Sequence, residues 1–272
     1  MKPIDMAPVG VLPAYDRPPV VEVALAIQFE SAIGYRSLEL GHIAETWSSE
    51  LPVVEERPAL PPMMVQPEAP SLELRVSGEV ETPRLWMMNE GGNRLVQLQQ
   101  DRLVVNWRKL PADTPYPRYS SIREFLVESW ELLEGVIDGL HLAAPKPSIC
   151  EVVYVNHIGA DSGWYSAGDT SAIIALWNEV VSDGFLPPAC QSGFFSRYEL
   201  PNDRGWLTID GQSISMNSYE DRLVMNLISR GPSTSPNLNG ALSFMDVAHE
   251  WIVRGFTSVT TKNAHEIWKR TV

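Results

Sequence analysis

Two hexapeptides give the first indication of how this chain is organised: DRLVVN, from Asp101 to Asn106, and DRLVMN, from Asp221 to Asn226. They match at five of six positions. A match of that length does not by itself establish an internal repeat, so the residues on either side have to be compared.

The flanking features occur in the same order in both halves. Upstream, EVALAIQF (22–29) corresponds to EVVYVNHI (151–158). Downstream, a shift of 121 residues aligns three pairs: Pro111 with Pro232, Pro115 with Pro236, and Trp130 with Trp251. The agreement predicts that the chain arose by duplication of one unit.

Each half is predicted to have the order β-α-β-β-β-α. A β-branched strand is followed by a helix, around HIAETWSSEL in the first half and SAIIALWNEVV in the second. In the second helix, Ile173, Ile174, Trp177 and Val180 or Val181 have helical spacing. Hairpins are predicted at the turn-forming segments 90–93 and 201–205. The DRLV strand comes next, and amphipathic helices at 122–133 and 242–256 close the halves.

This order predicts an α+β protein with a mainly antiparallel sheet, because short turns join successive strands and helices must cover its apolar face. The predicted divisions are an N-terminal tail (1–14), a first unit (15–144) and a second unit (145–272). The order resembles the TATA-binding-protein-like duplicated folds, which is an analogy of fold alone. Residues 52–70 contain six prolines and are predicted to form a loop without regular structure, either a connector or a docking loop.

Charge and hydropathy restrict the possible partners. The 272 residues include 34 acidic and 21 basic side chains, a net charge of −13 that repels nucleic acid and anionic membranes and favours a basic partner. No run approaches the roughly 18 apolar residues of a membrane span, and the N-terminus has no apolar leader-like segment. A cytoplasmic location is therefore predicted, with Cys150 and Cys190 reduced and buried.

The common catalytic motifs are missing from the sequence. It has no G-x-S-x-G, G-x-x-x-x-G-K, G-x-G-x-x-G or H-E-x-x-H pattern, and His249-Glu250 is only half of the last. No catalytic residue, metal ligand or cofactor is predicted.

Strand alternation separates a core face from a candidate binding face. Leu103, Val105 and Trp107 are predicted to face the core, as are their counterparts Leu223, Met225 and Leu227. Asn106 and Asn226 match, which favours a structural role. The two halves differ at positions where the first half has basic or aromatic residues and the second half does not. The candidate binding residues are Arg102, Asn106, Arg108, Lys109, Tyr116, Arg118 and Tyr119.

The segment 84–123 concentrates positive charge in an acidic chain. It has seven basic and three acidic residues, a net charge of +4. Arginine and tyrosine suit the binding of an anion or the stacking of a base, whereas the same charges could clamp the segment onto acidic helices of its own chain. Both interpretations stay open at this point.

The sequence also resembles a known family. The stretches RPPVVEVALAIQFE, NRLVQLQQDRLVVNWRK, YPRY, EVVYVNHI and FTSVTTKNAHEIWKR are similar to the sporadically distributed family of uncharacterised bacterial proteins, over residues 17–270. The resemblance implies no activity, cofactor or catalytic residue. It implies an accessory gene, as in defence or toxin-control loci.

Three hypotheses for function follow. The leading one is a non-enzymatic binding or regulatory protein that docks on a partner protein encoded nearby. The first alternative is nucleic-acid or nucleotide binding through the basic-aromatic segment 102–119. The second is an enzyme of unrecognised class, whose polar residues converge only in the folded chain. Oligomeric state is left open.

Overall fold

The computed structural model describes residues 10–65, 82–110, 114–177, 185, 187, 189–216 and 219–272. Over these residues it is a mixed α+β structure with a nine-stranded, open antiparallel sheet and five helices, which confirms the predicted class. The strands are β1 (Val20–Phe29), β2 (Val53–Arg57), β3 (Arg84–Met88), β4 (Arg94–Gln99), β5 (Arg102–Arg108), β6 (Pro147–Ile158), β7 (Gly193–Glu199), β8 (Trp206–Met216) and β9 (Tyr219–Pro232). The helices are α1 (Leu40–Glu45), α2 (Arg118–Gly139), α3 (Thr170–Ile173), α4 (Leu238–Val259) and α5 (Lys262–Ile267).

The strand order in the sheet is β2-β3-β4-β5-β1-β6-β9-β8-β7. The chain folds into two compact units, each of which draws on more than one stretch of sequence. We call residues 22–152 and 230–246 the N-terminal unit, and residues 1–21, 153–229 and 247–272 the C-terminal unit.

The core of the N-terminal unit lies between β1, β4, β5 and helix α2. In the antiparallel register Leu25 pairs with Val105, and Val105 pairs with Val96, so one face of three strands is aliphatic. Helix α2 buries Phe125 and Trp130 on its apolar stripe, and Trp130 makes an edge contact with Phe29 at 5.9 Å between ring centroids. The core face predicted for β5 is confirmed, since Leu103, Val105 and Trp107 are all buried.

Strand β2 corrects the prediction that residues 52–70 have no regular structure. Its sequence, VVEER, lies between Pro52 and Pro58 and pairs antiparallel with β3. Two β-branched residues favour extended backbone, and an edge position tolerates the flanking prolines. The part of that loop at 66–70 lies outside the described residues.

Both predicted hairpins are present. Strands β3 and β4 are joined through residues 89–93, where Gly92 has a φ of +66° that favours glycine. Strands β7 and β8 are joined through residues 200–205, and β7 pairs with β8 from Gly193 opposite Gln212 to Glu199 opposite Trp206. Leu223, Met225 and Leu227 of β9 are buried, as predicted.

The helix predicted at SAIIALWNEVV is wrong at residues 174–177. Helix α3 ends there, and Ile174 is extended and forms an isolated bridge with Thr260. The Ala175 amide donates to the Val259 carbonyl at 2.8 Å, and the Thr261 amide donates to the Ile173 carbonyl at 2.9 Å. Backbone pairing with the end of α4 thus replaces the helical bonds that the Ala175 amide and the Ile173 carbonyl would have made. Residues 178–181 lie outside the described residues.

No helix in the described ranges is both long enough and apolar enough to cross a membrane.

Candidate functional site

The candidate residues on β5 share one face of the sheet, the face opposite helix α2, which we call the polar face. Strand register places Arg102 beside Gln28 and Gln99, and Asn106 beside Ala24 and Leu95. Arg102 and Asn106 are only 6% and 3% exposed, whereas Arg108 is half-buried. Two of the residues predicted to bind a ligand are therefore buried.

Asn106 belongs to a line of hydrogen bonds that crosses four strands. It donates to Glu22 Oε1 at 2.6 Å and accepts from Gln97 Nε2 at 2.7 Å. Gln97 in turn accepts from Arg84 Nη1 at 2.8 Å. Asn226 has the corresponding place on β9 and donates to Asp210 Oδ1 at 3.0 Å. Both asparagines thus bond to side chains of neighbouring strands.

A proline-rich segment, residues 58–65, covers part of the polar face, and we call it the strap. Gln99 exchanges two 3.0 Å bonds with the backbone of Leu60. Gln28 donates to the Met63 carbonyl at 3.1 Å and accepts from the Met63 amide. Arg102 donates to the Pro61 carbonyl at 2.7 Å. These contacts explain why Arg102 is buried, because its guanidinium lies beneath this segment of its own chain.

Beyond the strap, three guanidinium groups surround one indole. The Cζ atoms of Arg57, Arg84 and Arg108 lie 5.0, 5.5 and 5.6 Å from the Trp86 ring centroid. We call these three residues, with Arg102, the arginine cluster. Arg57 pairs with Glu55. Arg108 donates from Nε and Nη2 to the Gly92 carbonyl at 3.2 and 3.0 Å, which fixes it to the β3–β4 turn.

Burial shifts the acid–base properties of this cluster. Loss of solvent lowers the pKa of Arg84, and the positive charges of Arg102 and Arg57 lower it further. Burial is also the main cause of the lowered pKa of Arg102. Burial therefore disfavours the positive charge of Arg84 and of Arg102, although Asp101 and Glu151 act to raise the pKa of Arg102.

The remaining candidates lie elsewhere in the N-terminal unit. Tyr116 contacts Trp107, whose side chain is on the opposite face from Asn106, at 5.3 Å between centroids, and Arg118 lies over the Tyr116 ring. Tyr119 donates to Asp246 Oδ1 at 2.8 Å, beside the Arg123–Asp246 ion pair. Lys109 follows β5 and is half-buried. The segment 102–119 is therefore divided between the two faces of the sheet.

The arginines of the segment 84–123 fall into two groups, those that pair with carboxylates and those that do not. Arg94 lies 3.5 Å from Glu50 and 3.8 Å from Glu128, and Arg123 pairs with Asp246, so these two arginines do clamp onto acidic groups of the chain. Arg84, Arg102 and Arg108 form no ion pair with a carboxylate of the described residues.

Edge strand β7 is a further candidate surface, which the sequence did not single out. It is the last strand in the sheet order, and its side chains are exposed or half-exposed at all seven positions of GFFSRYE. Phe195 is 63% exposed, with the Arg197 guanidinium 5.3 Å from its ring centroid, and Tyr198 is 37% exposed. The missed signal was an aromatic-rich strand without the alternation of a buried face.

A search of the described residues finds no group of three or more histidine, cysteine, aspartate or glutamate side chains that could hold a metal ion. Cys150 and Cys190 are free thiols, and Cys190 is exposed, so the prediction that both are buried is wrong for Cys190.

Comparison of the chain with models of protein families, with curated proteins and with solved structures finds no match in any of the three. The resemblance to the sporadically distributed bacterial family thus stays a prediction.

Proposed function

We propose that this chain is a non-enzymatic binding or regulatory protein that docks on a partner protein encoded nearby, by accepting an extended segment of that partner alongside β7. One observation supports this most directly: β7 is a seven-residue edge strand with exposed aromatic side chains and, within the described part of the chain, no strand beyond it. The outer backbone amides and carbonyls of such a strand offer ready hydrogen bonds to another chain.

The other edge of the sheet supports the choice of β7. Strand β2 is shorter, and three of its five residues are charged, a composition that protects an edge strand from pairing. Strand β7 has one arginine, one glutamate and three aromatic residues. The two edge strands therefore differ in their content of charged residues, which decides whether an edge strand pairs with another chain.

Charge indicates what kind of segment would bind. The chain has a net charge of −13, so a basic partner is attracted at long range and an acidic one is repelled. We therefore propose a basic extended segment that also presents apolar side chains to Phe195 and Tyr198. A cytoplasmic setting in an accessory, defence or toxin-control locus belongs to the same proposal.

Duplication of a β-α-β-β-β-α unit, in the manner of the TATA-binding-protein-like folds, is also part of the proposal. Its support is that the first strand of each half neighbours the last strand of the same half: β1 beside β5, and β6 beside β9. Strand β2 has no counterpart among the described residues of the second half.

Co-purification tests the docking proposal. We expect a tagged chain, expressed with the products of its flanking genes, to retain one of them. Phe195→Lys combined with Tyr198→Lys should abolish that recovery, because charges are then placed on both faces of β7. Val53→Lys combined with Val54→Lys is the matched control, since these residues are also exposed on an edge strand.

Two outcomes would contradict the proposal. One is that the tagged chain co-purifies with no product of a flanking gene. The other is equal loss of the partner with the β2 and β7 variants while both keep the wild-type unfolding midpoint. A symmetric dimer of the chain alone, broken by the β7 substitutions, would identify a second copy as the occupant and exclude a distinct partner.

A further inference from the structure

In the arginine cluster, Arg84, Arg102 and Arg108 form no ion pair with a carboxylate of the described residues. Arg84 donates to the Gln97 amide oxygen, Arg102 to the oxygens of Gln28 and Pro61, and Arg108 to the Gly92 carbonyl and the Met88 sulfur. All of these acceptors are uncharged. Arg57 is the member of the cluster that pairs with a carboxylate, Glu55. Asp101 and Glu151 raise the pKa of Arg102 without bonding to it. Buried or half-buried guanidiniums with no directly bonded counter-charge are unfavourable, and an added anion would stabilise them.

Unpartnered donors lie on the same face. Arg84 Nε, Arg102 Nε and Trp86 Nε1 are buried and have no hydrogen-bond acceptor among the described residues. Most buried donors in folded proteins are paired, and a group of unpaired ones calls for an explanation. A bound hydrogen-bond acceptor would satisfy each of these three donors.

Strand register brings the accessible part of the cluster together. Arg57 of β2 is directly opposite Arg84 of β3, and Glu55 is opposite Trp86. Neighbouring strands lie about 4.8 Å apart, so one small ligand can reach both guanidiniums. The Arg57 side chain is 46% exposed, which places it at the solvent side of Trp86. An incoming anion would meet Arg57 first and compete with Glu55 for it.

We propose that the N-terminal unit binds a compact oxyanion, a phosphate group, between Arg57 and Arg84 at the edge of Trp86. Forked guanidinium donors match the oxygen geometry of phosphate. Arg102 and Arg108 contribute positive potential from either side. The site is independent of docking at β7.

Two observations define the size of the ligand. Guanidiniums already lie over the Trp86 ring, so a nucleobase would gain no stacking there. The net charge of −13 repels a long polyanion such as nucleic acid. The ligand is thus free phosphate, pyrophosphate, or the phosphate end of a small metabolite.

Calorimetric titration at constant ionic strength tests the proposal. Pyrophosphate and inorganic phosphate should bind saturably to the wild-type protein, and adenosine monophosphate should bind no more tightly than phosphate. Arg84→Gln and Arg57→Gln should each weaken pyrophosphate binding at least tenfold. Arg197→Gln should leave it unchanged, since Arg197 also lies over an aromatic ring but belongs to β7. Adenosine monophosphate binding much more tightly than phosphate would instead indicate a base site.

Stability in the absence of ligand separates binding from a purely structural role. Arg84→Gln removes repulsion from Arg57 and Arg102, so its thermal midpoint without anion should equal or exceed that of wild type. Trp86→Phe keeps an aromatic ring and removes the indole donor, and it should fold and bind pyrophosphate several-fold more weakly. The proposal is wrong if wild type shows no saturable phosphate or pyrophosphate binding, or if Arg84→Gln binds pyrophosphate as tightly as wild type.

Discussion

At the scale of single residues, the two matched asparagines have different surroundings. Asn106 is buried and bonds both Glu22 and Gln97, whereas Asn226 is half-buried and bonds Asp210. We expect Asn106→Leu to lower the free energy of unfolding by about 1–3 kcal/mol, because it leaves buried polar partners unpaired. Asn226→Leu should cost under about 1 kcal/mol, since water can replace the lost bond. Urea unfolding measures both, and equal losses would contradict the assignment.

The two cysteines provide a second prediction at this scale. Burial raises the pKa of the Cys150 thiol to about 12, while Cys190 is exposed. The thiolate is the reactive form, so at pH 8 a thiol reagent should modify one cysteine per native chain and two per unfolded chain. Rapid modification of Cys150 in the native protein would show that the strands around β6 open readily.

At the scale of elements, the strap depends on side chains of the sheet beneath it. Gln28 pairs with both backbone groups of Met63, so Gln28→Leu should free the strap and speed chymotryptic cleavage after Met63 several-fold. Gln100→Leu is the matched control, because Gln100 makes the same kind of paired contact to a different loop, at Gly34 and Tyr35. Equal cleavage of the two variants would contradict the role of Gln28.

Local sequence patterns predict some elements of this fold correctly and miss those that depend on long-range contacts. The alternation of Leu103, Val105 and Trp107 correctly predicted a core face, because strand periodicity is local information. The helix predicted at residues 174–177 was wrong because pairing with Val259 and Thr261 is a long-range contact. The arginine cluster could not be predicted, since Arg57, Arg84 and Arg108 meet only through strand register.

At the scale of the whole molecule, charge and edges determine how the chain meets a partner. A net charge of −13 should accelerate association with a basic segment and make the rate sensitive to salt. We expect the association rate with the recovered partner to fall at least tenfold between about 0.02 and 0.5 M sodium chloride, with a smaller change in the dissociation rate. Stopped-flow or surface-binding kinetics measure both rates, and an association rate independent of salt would argue against a basic partner.

Hydrogen–deuterium exchange of the β7 amides, with and without the recovered partner, tests the central claim most directly. Strand addition predicts that the β7 amides that face away from β8 become protected in the complex, at every second residue between Gly193 and Glu199. Amides of β2 should exchange at the same rate in both states. A stable complex in which the exchange of β7 does not change would show that the partner binds elsewhere and would contradict the account.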